Sequence, residues 1–169
     1  MLEELEMQLA RHERLDKSLS VIVIDLNGFK ALNDEHGHAA GDGVLRDVAA
    51  ALERVVDSQD TLTRLGGDEF CVILPETEPD ETGPMVNAIR AALASVQTPS
   101  GGGVTAGTGT ASFPVDATSI DVLLHVADER LRENKPHSRK AAGTTVSSGA
   151  TVPPGPVSER RQSERRKPR

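Results

Sequence analysis

Apolar side chains recur along the chain with two spacings, and together they predict alternating helices and strands. A period near 3.6 residues indicates amphipathic helices, and short apolar runs rich in Val, Ile and Thr indicate strands. Helices are predicted at residues 2–16, 28–35, 42–56, 80–96 and 119–134, and strands at residues 20–25, 61–65, 69–74 and 104–113. This order predicts one α/β fold, with helices packed on a sheet.

The composition predicts a single domain with an aliphatic core. The chain has 169 residues, is 37 % hydrophobic, and contains three Phe but no Trp or Tyr. Its one cysteine, Cys71, excludes an intrachain disulfide and falls in a predicted strand, so we expect a small buried hydrophobe. No apolar run approaches the roughly 18 residues of a membrane helix, and no signal peptide opens the chain. These features predict a cytoplasmic protein without a transmembrane segment.

The charge pattern divides the chain into a folded domain, residues 1–140, and a tail, residues 141–169. The net charge is −7, with the acidic excess in the domain and a basic excess in the tail. The tail is rich in Gly, Ser, Thr and Pro and has almost no large apolar side chain, which predicts disorder. Two interpretations stay open, a solvated tail and a weak anchor for anionic lipid, RNA or a partner protein.

Three carboxylates follow predicted strands. Gly66 and Gly67 separate two strands and predict a tight hairpin, with Asp68 and Glu69 at its tip, while Asp25 ends another apolar run. Carboxylates on adjacent strand ends suit a divalent metal bound to phosphates. The alternative is a strand-end cap at Asp25 and a solvated turn.

A strand-to-helix turn follows Asp25, at residues 27–30. Backbone N–H groups at such a helix start suit phosphate groups, and Lys30 adds a positive charge. The alternative makes Phe29 a core residue and Lys30 a surface residue. His36 and His38 are interpreted as structural, because Mg²⁺ prefers oxygen ligands.

These segments carry a family resemblance. The run Gly66-Gly-Asp-Glu-Phe70, with the upstream segment from Asp25 to Asp42 and the downstream Ala127-Asp-Glu129, resembles the GGDEF family of diguanylate cyclases over roughly residues 2–140. The resemblance implies a palm-like fold related to nucleotidyl cyclases, with a mixed sheet flanked by helices. It also implies the condensation of two GTP molecules into cyclic di-GMP and pyrophosphate.

The resemblance implies roles for particular residues. Asp25, Asp68 and the backbone carbonyl of Leu26 would bind two Mg²⁺ ions, with Mn²⁺ as an alternative. The catalytic set would be Asp68, Glu69 as a candidate base, and Lys30. The substrate-binding residues would be Gly28 and Phe29 at the phosphates, Asn33 and Asp42 at the guanine edge, and Lys135 and Arg139 at the triphosphate. Each site of this family is half of a homodimeric site, and no specific nucleic acid is expected as a partner.

Two departures from the family pattern bear on the function. No Leu-Thr-Gly-Leu-x-Asn-Arg segment precedes Leu2, so a shortened start is expected. The family's Arg-x-x-Asp product-inhibition motif would fall on Asp57 and Asp60, which predicts its loss, while Arg54-x-x-Asp57 lies three residues early. The shortened start favours the alternative function, a catalytically inactive, GTP-binding regulatory module.

Overall fold

The computed structural model describes residues 2–134, with side chains from residue 6 onward. Five helices and four strands follow the order α1 Leu2–Leu15, β1 Leu19–Leu26, α2 Phe29–His36, α3 His38–Glu53, β2 Thr61–Gly66, β3 Glu69–Pro75, α4 Thr82–Ser95, β4 Ala106–Phe113 and α5 Ile120–Asn134. A 3₁₀ turn, Pro79–Glu81, precedes α4. Every predicted element is present, and the predicted α/β fold is confirmed.

The four strands form one sheet in the order β2-β3-β1-β4. Each neighbouring pair that the described residues make is antiparallel. The reason is an interleaved connection. The crossover from β1 through α2 and α3 returns to β2 in the same direction as β1, but the hairpin partner β3 lies between them.

Successive side chains along each strand point to opposite faces of the sheet, so two hydrophobic cores form, one on each face. On one face, even-numbered β1 residues such as Ile22 and Ile24 pack with side chains of α3 and α4. On the other face, odd-numbered residues such as Val21 pack with α1 and α5. Cys71 belongs to this second core, as predicted, and burial raises the pKa of its thiol to about 12.

Helix α5 lies close against β4, and two features hold it there. A Cβ atom at Gly109 of β4 would lie 1.9 Å from the carbonyl oxygen of Ala127, so only glycine fits. Arg130 donates two hydrogen bonds to the Asp116 carboxylate, at 2.7 and 2.6 Å, and one to the Thr110 carbonyl at 2.9 Å. The hydrogen bonds from Arg130 to the carboxylate, and secondly one from the Ser112 N–H, hold the pKa of Asp116 below its usual value.

Helix α3 begins and ends at different residues from those that the hydrophobic pattern predicts. It begins at His38 rather than residue 42, because Gly37, at φ +82°, turns the chain directly from α2 into α3. It ends at Glu53 rather than residue 56, where the N–H groups of Val55 and Val56 both bond the Leu52 carbonyl. The apolar pattern therefore extends past the C-terminus of the helix. It does not mark the first turn, whose residues carry no large apolar side chain.

Candidate functional site

The Gly-Gly hairpin is present, with its turn one residue later than the two glycines suggested. Gly66 pairs with Glu69, so the two turn residues are Gly67, at φ +52°, and Asp68. Leu65 is the extra residue of a bulge in β2. Asp68 is therefore one of the two turn residues. Of the two, only Gly67 has the left-handed conformation that favours glycine.

Arg64 fixes this turn through its guanidinium group. Its Nε and Nη2 atoms donate to the Gly67 carbonyl at 2.9 and 2.6 Å. Sequence reasoning assigned Arg64 no such role. The available signal was its position three residues before Gly67, from which a long donor side chain can reach back to the turn.

The hairpin turn lies beside the end of β1. Asp25 is the cross-strand partner of Glu69, and the Leu26 N–H donates to the Asp68 carbonyl at 3.2 Å. Cross-strand partners point to the same face of a sheet. On the other side of Asp25 the partner is Gly107, which carries no side chain. The structure therefore brings Asp25, Asp68 and Glu69 to one end of the sheet, as predicted.

The metal assignment stays a prediction. In the described part of the chain, no group of three or more His, Cys, Asp and Glu side chains could hold a metal ion. The predicted ligands are two carboxylates and one carbonyl, which is a smaller set. Such hard oxygen donors fit Mg²⁺, which binds proteins through one or two carboxylates and keeps several waters.

The turn after β1 presents a helix start without a side-chain cap. Gly28, at φ +72°, is the N-cap residue of α2 and makes no capping side-chain bond. Asn27 is anchored to Thr105, by its N–H to the carbonyl at 2.8 Å and by its Nδ2 to the hydroxyl at 3.1 Å. Lys30 is exposed in the first turn, whereas Phe29 is half-buried against the core. The first N–H groups of α2 have no helical acceptor, so they can bind phosphate.

The predicted guanine readers lie on the two helices that follow. Asn33 is on α2, and its Oδ1 is the one buried side-chain N or O atom among the described residues without a hydrogen-bond partner. Asp42 is exposed on α3 and lines a surface pocket of about 580 Å³, with Leu45, Arg46 and Arg64 among the other lining residues. A buried polar atom without a partner is rare in folded proteins, so the orientation of the Asn33 amide needs an explanation.

Three other sequence predictions have different outcomes. Lys135 and Arg139 lie outside the described residues, as does the tail. His36 bonds the Ser100 hydroxyl at 2.5 Å, which agrees with a structural role. Asp57 and Asp60 form a turn in which the Asp60 carboxylate accepts the Asp57 N–H at 2.8 Å.

The interleaved sheet defines an α/β domain of the nucleotidyl-cyclase class, together with the acidic end of the sheet that β1 and the hairpin form. The chain belongs to the GGDEF family, described as "Diguanylate cyclase, GGDEF domain", which matches residues 1–141.

Curated relatives and solved structures agree with this membership. The chain is 39 % identical over 93 residues to diguanylate cyclase DgcP of Pseudomonas aeruginosa, covering 55 % of this chain and 14 % of DgcP. It is 34 % identical over 126 residues to diguanylate cyclase A of Treponema denticola, covering 73 % of this chain and 34 % of the relative. It thus spans only a minor part of these relatives.

Among solved structures, a GGDEF-only fragment of TpbB from Pseudomonas aeruginosa superposes with a TM-score of 0.72 at 31 % identity. The match covers 79 % of this chain and 80 % of the fragment. In the part of the chain that the structure describes, no helix combines the length and apolar character needed to cross a membrane.

Proposed function

We propose that this chain is a diguanylate cyclase domain that condenses two GTP molecules into cyclic di-GMP and releases two pyrophosphates. The observation that carries the proposal is the acidic end of the sheet, where Asp25, Asp68 and Glu69 gather beside the uncapped start of α2. Carboxylates next to an anion-binding helix start are what a metal-bound nucleoside triphosphate requires.

In this proposal, each part of the site has one task. The N–H groups of Gly28 and Phe29 bind the β- and γ-phosphates, and Lys30 adds a positive charge. Asp25, Asp68 and the Leu26 carbonyl hold two Mg²⁺ ions, or Mn²⁺ in their place. When bound, these ions supply positive charge to the phosphates and acidify the 3′-hydroxyl. Nucleotidyl transfer depends mainly on such positioning and charge neutralisation.

Proton transfer and base recognition fall to the remaining side chains. Glu69 lies next to the turn and is the candidate base for the 3′-hydroxyl. Asp42 accepts from the N1–H and N2–H₂ groups of guanine, and Asn33 donates to O6. Adenine lacks this pattern, and a site built on such bonds discriminates strongly. Lys135 and Arg139 would contact the triphosphate.

Further proposals follow from the reaction. Each 3′-hydroxyl must attack the α-phosphate of the other GTP, so we propose that catalysis requires a homodimer. We place the reaction in the cytoplasm, where GTP is supplied. The domain would end near residue 140, and the basic tail would contact an anionic partner. Product inhibition through an Arg-x-x-Asp motif would be absent, since Asp57 repels phosphate.

Calorimetry of GTP binding to the full chain, with and without Mg²⁺, tests the site. Asp68→Asn should reduce Mg²⁺-dependent affinity at least about tenfold, because loss of even an outer-shell partner costs 10- to 100-fold. Asp47→Asn is the matched control, since Asp47 is an exposed aspartate on α3. Equal Mg²⁺-dependent affinity in the Asp68→Asn and wild-type proteins would contradict the metal assignment.

A further inference from the structure

Helices α2 and α3 meet at a glycine that leaves no room for a side chain. Gly41 is buried, and a Cβ atom there would lie 1.9 Å from Oδ1 and 2.9 Å from Cγ of Asn33. The same Cβ would lie 3.1 Å from Cζ of Phe29. Non-bonded carbon and oxygen atoms do not approach to 1.9 Å, so any larger residue at position 41 must displace the Asn33 amide.

The Asn33 amide has a defined orientation in this space. Its Oδ1 is buried, has no hydrogen-bond partner among the described residues, and occupies the direction in which a Cβ would leave Gly41. Glycine carries a hydrogen in that direction, and a carbonyl oxygen tolerates a Cα–H neighbour better than an N–H₂ group does. The amide nitrogen is then the end that can meet a ligand.

We propose that Gly41 is a specificity-determining positioning residue for the base. By lacking a Cβ, it lets Asn33 turn its carbonyl inward and offer its N–H₂ donor to the ligand. An N–H₂ group at this point donates a hydrogen bond to the O6 carbonyl of guanine and repels the amino group that adenine carries at the same position. This inference rests on the proposed function, in which Asn33 and Asp42 read the guanine edge.

The chain offers a matched control on the same helix. Gly43, also on α3, has no atom within 4 Å of its would-be Cβ. Ala at either position carries the same intrinsic helical preference, so a difference between Gly41→Ala and Gly43→Ala reports the contact with α2 rather than helix propensity.

The test measures Mg²⁺-dependent affinity of the full chain for GTP, ITP and ATP by calorimetry. ITP keeps O6 and N1–H but lacks the N2 amino group. Gly41→Ala should weaken GTP and ITP alike, by about tenfold, and change ATP affinity less than about twofold, as expected for one lost hydrogen bond. Gly43→Ala should leave all three affinities unchanged.

Two results separate the possible failures. An unchanged GTP-to-ATP ratio in Gly41→Ala, which includes an equal loss for all three nucleotides, would overturn the inference. A wild-type chain that shows no preference for GTP would instead refute the proposed guanine site itself.

A double variant keeps the test decisive if Gly41→Ala fails to fold. Asn33→Ala removes the clashing amide, so Asn33→Ala with Gly41→Ala relieves most of the overlap. If Gly41 acts through Asn33, the second substitution should not lower the GTP-to-ATP ratio beyond that of Asn33→Ala alone. A further tenfold drop would show that Gly41 does not act through Asn33.

Discussion

The ion pair between Asp116 and Arg130 ties α5 to the end of β4, and its removal should lower stability measurably. The Asp116 side chain is 13 % exposed and accepts three hydrogen bonds, two from Arg130 and one from the Ser112 N–H. Hydrogen bonds to charged groups contribute about 1.5–3 kcal/mol. Since the Arg130 side chain is 42 % exposed, solvent screening reduces this contribution. We expect Asp116→Asn to cost about 1–2 kcal/mol at pH 7.

The cost should depend on pH with a defined sign. The native pKa of Asp116 lies below its unfolded value, which is near 3.9 for an ordinary aspartate. Its stabilisation is therefore fully present above about pH 5 and is lost as the pH falls through the native pKa. Urea unfolding of wild type and Asp116→Asn from pH 7 to pH 3 should show a constant difference at first, which shrinks below about pH 4.

Asp128→Asn is the matched control for this experiment. Asp128 pairs with Arg132 one turn along α5, and the Arg132 side chain is 67 % exposed. Such a surface pair contributes about 0.3–0.5 kcal/mol. Equal losses in the two variants, or a loss in Asp116→Asn that is the same at pH 3 as at pH 7, would refute the reasoning.

Two further predictions concern α5 packing and product binding. Gly109→Ala should destabilise the fold by about 3 kcal/mol or more, since its Cβ would meet the Ala127 backbone 1.9 Å away. Chemical denaturation should show this loss, and a variant as stable as wild type would contradict the packing. Cyclic di-GMP should not bind tightly, because Asp57 stands where an Arg fork would grip phosphate. Calorimetry should detect no tight complex, and sub-micromolar binding abolished by Arg54→Ala would show that the shifted motif works.

The elements were predictable where the sequence pattern and the local physics agree. The run 21–24 is apolar on both faces because helices pack on both faces of the sheet at β1, so its signal was strong. The first turn of α3 was missed because His38, Ala39, Ala40 and Gly41 carry no large apolar side chain. Strand pairing was also out of reach, because which strand lies beside β1 depends on contacts between residues far apart in sequence.

The candidate site was likewise predictable only where local sequence determines its geometry. Motif order placed Asp25, Asp68 and Glu69 correctly at one end of the sheet, since Asp25 lies near the end of β1, Asp68 lies in the hairpin turn and Glu69 begins β3. The hydrogen bonds from Arg64 to the Gly67 carbonyl depend on a bulge at Leu65, which no local sequence pattern predicts. Arg54 and Asp57 do not share a helix face, because α3 ends at Glu53 and residues 57–60 form a turn.

The most direct test of the proposed function is product analysis. The full 169-residue chain should be incubated with GTP and Mg²⁺, and nucleotides should be separated by chromatography. The account predicts cyclic di-GMP with two pyrophosphates per product, at a specific rate that rises with protein concentration as dimers form. Mg²⁺-dependent GTP binding without cyclic di-GMP at any protein concentration would contradict it and identify a GTP-binding regulatory module instead.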